Sequence, residues 1–238
     1  MKRVNKFLAI ATIITLASGI SYGQKLRPMN KSWYDDKQLH FGFSLGFNAM
    51  DLNITPDFDS YIADSLYPEV SLISPGINIQ IVIDYRPATH WDIRFLPGVS
   101  FGQRNVIYFK EQTIYEDMQK VESSFLEFPL LLKYKGKRLN NVRPYLISGL
   151  NYRVDLASRK EPDPDEIVFI RLRRSDLYYE AGAGMDFYLP YFKLSVELKL
   201  STGIRDILVH EPTPGYAQYT NAIDRMNSRI WVLAFHFE

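Results

Sequence analysis

From His40 onward, apolar and polar positions alternate with a period of two. The first run sets Phe41, Phe43, Leu45, Phe47 and Ala49 on one face against His40, Gly42, Ser44, Gly46 and Asn48 on the other. Seven more runs follow over 76–85, 91–102, 125–134, 143–153, 177–187, 192–201 and 230–237. Each has one large apolar face and one small or charged face, the mark of strands whose two sides meet different surroundings. The connections alternate in length: 54–74, 103–121, 155–175 and 203–228 are long, whereas 86–90, 136–142 and the Pro190-Tyr191 turn are short. Eight strands of about 9 to 13 residues, with loops of alternating length, predict an all-β fold. The architecture expected is an eight-stranded antiparallel up-and-down transmembrane β-barrel of the outer-membrane type, with both termini periplasmic and the long loops extracellular.

Which face meets lipid is decided by residue size. The polar face carries glycines at 42, 46, 76, 98, 102, 149, 182 and 184 among charged groups. An eight-stranded barrel has an interior just wide enough to be filled by side chains, so small residues between large ones suit that lumen. A solvent-facing strand would instead favour Thr, Lys and Glu. The lumen is then expected to collect Asp84, Asp92, Arg94, Glu127, Lys133, Arg143, Arg153, Glu180, Asp186, Lys193, Glu197 and Lys199. Buried charges are costly unless paired, so these read as a salt-bridged plug in preference to a proton or ion path. Tyr85, Trp91, Tyr134, Tyr188, Tyr191 and Phe237 fall near one rim and Tyr108, Tyr152 and Tyr179 near the other, as interfacial girdles do. Pro97 and Pro129 sit inside strands three and four, where each removes a ladder donor; a local bulge or water contact is expected there.

The N-terminus adds an address. Lys2, Arg3 and Lys6 precede an apolar stretch from Phe7 to Ile20, and Ser21-Tyr22-Gly23 offers small residues for cleavage before Gln24. Residues 1–23 therefore read as a signal peptide, 24–37 as a periplasmic N-terminal arm, and 38–238 as the outer-membrane barrel domain. Twenty-eight Lys and Arg against 27 Asp and Glu point to no nucleic-acid partner. The absence of cysteine removes disulfides, thiolate metal sites and a cysteine nucleophile.

Candidate chemistry is sparse. His40, His90, His210 and His236 lack metal-site spacing, and neither a GxSxG elbow nor a Gly-rich phosphate loop is present. Ser44 and His40 share the inner face of strand one, and closure of the barrel brings His236 of the last strand beside them, so Ser44 with a histidine makes a dyad on paper, although a hydrogen-bonded luminal histidine is the plainer reading. No catalytic residue, cofactor or metal is expected. The stretch 161–166 is acidic and is followed by Arg171, Arg173 and Arg174, either as a solvated tip or as a protein contact.

The segment from Lys37 to Asn48, carrying His40, Phe41, Gly42, Phe43, Gly46 and Asn48, resembles the opening of PorT-type proteins, called SprT where cells glide. These are outer-membrane barrels of the Bacteroidota. The pair 126–134 (LEFPLLLKY) and 143–149 (RPYLISG) resembles a motif shared more broadly among barrels of that phylum, and it makes Pro129 a family trait. The resemblance covers the chain from about residue 28 onward. It implies an accessory or assembly component of type IX protein secretion, and of gliding motility where present, with no catalytic residues. Its implied partners are outer-membrane lipid and other secretion-machinery proteins, reached through loops or the arm. The alternatives left open are a general small surface barrel for adhesion or envelope stability, and a lipid-modifying enzyme.

Overall fold

The computed structural model describes residues 29–57, 66–70, 74–110, 114–157, 170–211 and 217–238. The expected signal peptide over 1–23, residues 24–28 of the expected arm and the acidic stretch 161–166 lie outside them. A 3-10 turn over Ser32–Asp36 precedes ten strands. These are β1 (Leu39–Pro56), β2 (Leu66–Val70), β3 (Ser74–Ala88), β4 (Trp91–Phe95), β5 (Gly98–Lys110), β6 (Ile114–Lys135), β7 (Val142–Asp155), β8 (Ser175–Tyr188), β9 (Lys193–Gly203) and β10 (Ile223–Phe237). A short helix α1 (Ala217–Asn221) lies before β10.

The strands close into a ring. Every neighbour pair is antiparallel, from β1 through β10, β9, β8, β7 and β6 to β4 and β5, then β3 and back to β1. β4 and β5 are two halves of one wall strand, so the ring has eight members; β2 is an added strand on the far end of β5. The gap between the halves is Leu96-Pro97, where the missing donor of Pro97 was expected to disturb the ladder. The disturbance is contained: the Pro97 carbonyl accepts from Ile81 N–H at 2.9 Å and Leu96 N–H donates to Pro129 O at 3.2 Å. Phe128 N–H, next to Pro129, donates to Asn151 Oδ1 at 3.2 Å. The alternation keeps its phase across the gap, with Arg94, Leu96 and Ser100 all buried.

The wall has two tiers. In the first, from the rim near the arm to about halfway along the strands, apolar side chains face out: Phe41, Phe43, Leu45 and Phe47 on β1, Ile77, Ile79 and Ile81 on β3, Leu130 and Leu132 on β6. On β1 this band runs from Leu39 to Ala49, about 33 Å along the strand and about 25 Å in height at a tilt near 40°. Beyond it the pattern turns inside out without losing its period. Asp51, Asn53 and Thr55 now face outward while Met50 and Leu52 are buried; Arg229 and Arg225 point out while Met226 and Ile230 point in. This distal tier encloses an apolar core of Leu52, Val106, Tyr108, Ile170, Leu208, Tyr219, Ile223 and Met226.

Four expectations are corrected here. Residues 103–121 are not a loop but the outer arms of a β5–β6 hairpin that stays paired as far as Lys110 and Ile114. The stretch 54–74 likewise holds β2. Tyr108 is no girdle residue: it points inward and meets Tyr219 edge-on at 4.8 Å, because beyond the band the apolar face is the inner one. Tyr188 also turns inward, against Tyr34 of the arm. Tyr85, Trp91, Tyr134, Tyr152, Tyr179 and Tyr191 do face outward. The turns use the residues their backbones need, as at Asn140 with φ of 55° between β6 and β7.

Candidate functional site

The lumen of the first tier is where the chain concentrates its polar chemistry. Strand parity brings Asp84, Asp92, Arg94, Glu127, Lys133, Arg143, Arg153, Glu180, Asp186, Lys193, Glu197 and Lys199 inside, and all are buried. Two centres organise most of them. In mid-wall, Glu180 receives Arg153 at 3.0 Å and Lys199 at 2.8 Å, with Asn151 and Ser201 donating at 2.8 and 2.9 Å. Arg153 also reaches Glu127 at 3.0 Å, whose oxygens accept from Ser100 and Gln80, both at 2.7 Å. Nearer the arm, Arg94 pairs with Asp84 at 2.7 Å, with the Glu238 side chain at 3.1 Å and with Glu197 at 3.6 Å. Lys133 and Ser195 share Asp186, and Lys193 holds Glu238 at 2.7 Å.

Such charges are tolerable away from water only when each meets its opposite and its remaining hydrogen-bond sites are filled. Aromatic rings complete the packing. The Lys133 ammonium lies 3.8 Å from the Tyr145 ring centroid, and Arg153 lies 4.4 Å from that of Tyr178. Tyr145 has room because Gly184 stands opposite it; a Cβ there would run into the phenol ring. Two of the twelve sit apart, at the near rim. Asp92 pairs with Lys135 at 2.5 Å, and Arg143 turns to Asp35 at 3.0 Å.

Asp35 belongs to the arm, which folds into the near mouth of the barrel. Its carboxylate is faced by Arg86, Arg138 and Arg143. Arg138 donates to the Asn30 carbonyl, and Asn30 bonds to Asn141 Oδ1 and the Tyr188 carbonyl. Tyr34 is buried in the opening. Its hydroxyl donates to Glu238 Oε2 at 2.8 Å, its ring stacks on His40 at 4.0 Å, and the Lys193 ammonium lies 4.7 Å from the ring centroid. Burial raises the phenol pKa above its ordinary value, so the hydroxyl stays a donor.

The β1 motif frames this mouth. His40 carries the Tyr34 ring, and Phe41 and Phe43 face outward. Gly42 leaves space for the Glu238 side chain, which a Cβ would strike. Gly46 is buried, and Asn48 donates to Asn78 Oδ1 at 2.6 Å and to the Phe101 carbonyl at 3.1 Å. Ser44 and His236 stand directly opposite each other, but no hydrogen bond joins them; His236 instead lies 3.5 Å from Glu197. Among the described residues, no group of three His, Asp or Glu is arranged to hold a metal.

Sequence reasoning missed several members of the network. Glu238 continues the inward parity of His236 by one more step, a usable signal. Arg104 and Asp155, 3.5 Å apart, lie where the strands extend past their expected ends. Tyr34 and Asp35 carry no periodic signal.

A closed antiparallel ring with an apolar outer band and a charged, filled interior is the build of a strand-crossed membrane protein, since closure leaves no backbone group unpaired in lipid. Residues 22–209 match the family described as outer membrane protein beta-barrel domain, and the chain belongs to that family. Among solved structures it is similar to the outer membrane protein OprG from Pseudomonas aeruginosa, at 13% identity over 90% of this chain and 97% of that one, with a TM-score of 0.49. It is also similar to Ail, the attachment invasion locus protein of Yersinia pestis, at 13% identity over 84% and 99%, with a TM-score of 0.39. No curated protein matches the chain. The outer-membrane assignment stands on the family match and the wall pattern.

Proposed function

We propose that this outer-membrane barrel is a non-catalytic accessory or assembly component of type IX protein secretion, and of gliding motility where the cell glides. The observation that carries the reading is the β1 motif with its PorT-type resemblance: His40 stacks on Tyr34 of the arm, Gly42 makes room for Glu238, which holds the Tyr34 hydroxyl, and Asn48 ties β1 to β3 deeper in the wall. An ion-paired lumen suits a protein that works beside a conduit better than one that is the conduit. In this reading the arm mouth faces the periplasm, the distal tier stands outside the cell, and secretion-machinery proteins are met through the arm or the distal loops. Deleting the gene is expected to abolish surface display of type IX cargo, restored by the wild-type chain. Normal cargo display in the deletion strain sinks the proposal. The folded distal tier favours one second reading, a general surface barrel; lost adhesion with intact secretion would move the assignment there. Orientation is read separately with a single cysteine placed at Asn53, which a membrane-impermeant maleimide should label on intact cells.

A further inference from the structure

Just beyond the apolar band, five arginines stand exposed in one arc. Arg229 and Arg225 lie on β10, Arg205 follows β9, and Arg173 and Arg174 precede β8, three wall strands that are neighbours in the ring. Arg229 is two residues, about 7 Å along the strand, from the lipid-facing Trp231. Arg225 folds back so that its guanidinium donates to the Ile204 carbonyl at 3.2 Å, and Ile204 itself is exposed. The arc thus begins at the depth where hydrocarbon gives way to headgroups.

Among the described residues, none of the five arginines has a carboxylate within ion-pair distance, whereas neighbouring Arg171 is paired with Glu211 at 3.5 Å. Three of the four nearby acids accept from backbone N–H groups, and Asp206 also lies 3.7 Å from His210. Asp51, opposite Arg229, accepts from Leu52 N–H at 2.8 Å; Asp176 accepts from Leu177 and Arg205 N–H; Asp206 accepts from Leu208 and Met226 N–H. Asp224, beside Arg225, is exposed. In the buried tier each of the twelve luminal charges lies within ion-pair distance of an opposite charge, whereas among the described residues no carboxylate does so for these five guanidinium groups, which leaves them open to an outside anion.

We infer that this arc is a binding site for the phosphate groups of lipid headgroups in the leaflet at the distal rim. Planar guanidinium forks bind phosphate in bidentate fashion, and the adjoining Trp231 and Ile204 offer apolar contact to the same molecule's chains. Which leaflet supplies the lipid follows from the orientation proposed above; the binding does not depend on it.

The test uses the mature chain in phosphatidylcholine nanodiscs, open on both faces, doped with lipid A. Retained lipid A is counted by native mass spectrometry. The combined Arg205→Gln, Arg225→Gln and Arg229→Gln chain should hold lipid A roughly a hundredfold more weakly, at about fivefold per basic residue near an anionic lipid surface. Lys31→Gln with Lys37→Gln, at the opposite mouth, should bind as the wild type does. Equal retention by the triple variant and the wild type overturns the inference. So does displacement of lipid A by a matching concentration of inorganic phosphate, which would make the arc a free-anion site. If the triple variant fails to fold by its gel shift on heating, Arg173→Gln with Arg174→Gln decides in its place, since among the described residues neither side chain makes a hydrogen bond or ion pair to the fold.

Discussion

The two tiers are made from the same strands with the same alternation, yet they solve opposite problems. In the band, Leu45 and Phe47 face out while Ser44 and Asn48 face in; a few residues further along β1, Asn53 faces out and Leu52 in. The backbone does not change at Ala49 and Met50. The medium outside it does. Hydrocarbon makes polar groups the ones that must be hidden, and water makes apolar groups the ones that must be hidden, so one period yields two interiors. The first is held by specific, paired charges, the second by apolar burial that is non-directional.

The comparison is broken most severely in the charged interior. Glu180→Ala leaves Arg153 and Lys199 buried beside an empty position and should cost about 3–5 kcal/mol, read as a lower urea midpoint for the folded band in detergent micelles. A loss below about 1 kcal/mol would mean that water reaches this layer. Leu208→Ala, in the distal core, should cost about 2–5 kcal/mol but act locally. Limited proteolysis should cut the distal tier while the remaining barrel keeps its gel shift on heating; uniform loss of both would show that the tiers unfold as one. The outer faces sharpen the contrast further. Leu45→Lys, near the middle of the band, should destabilise the barrel in bilayers by about 2–4 kcal/mol. Asn53→Lys, on the same face of the same strand, should stay within about 0.5 kcal/mol. Equal costs would move the lipid boundary away from Ala49.

The wall was legible because every strand repeats one rule, and that rule placed the twelve luminal charges without any knowledge of their partners. The distal tier was not. Met50, Leu52 and Ile54 invert the rule for only three steps before Pro56, and the mixed-looking 103–121 stretch reads as polar loop when inward Val106 and Tyr108 are scored on the wrong face. Period survives inversion, so periodicity counts a strand but cannot say which side is dry. The arm was legible as a segment and illegible as a fold. Tyr34 finds Glu238 and Tyr188, and Asp35 finds Arg143, all more than a hundred positions away. Such pairing arises only once the ring exists.

The seam between β1 and β10 carries a consequence for how the molecule is born. Phe43 lies beside Phe237, stacked at 4.9 Å, and the pairing runs on from there to Thr55 and Arg225. Every other wall junction joins strands close in the chain, apart from β1 with β3, which must step over only β2. This one joins the ends of the series, so its loop-closure entropy is the largest and its formation the slowest. Until it forms, two strand edges stand open, each with a row of unpaired N–H and C=O groups that hydrocarbon cannot satisfy. A half-built wall is therefore a molecule in search of a β-strand, and the cell must lend it one or shield it until its own arrives.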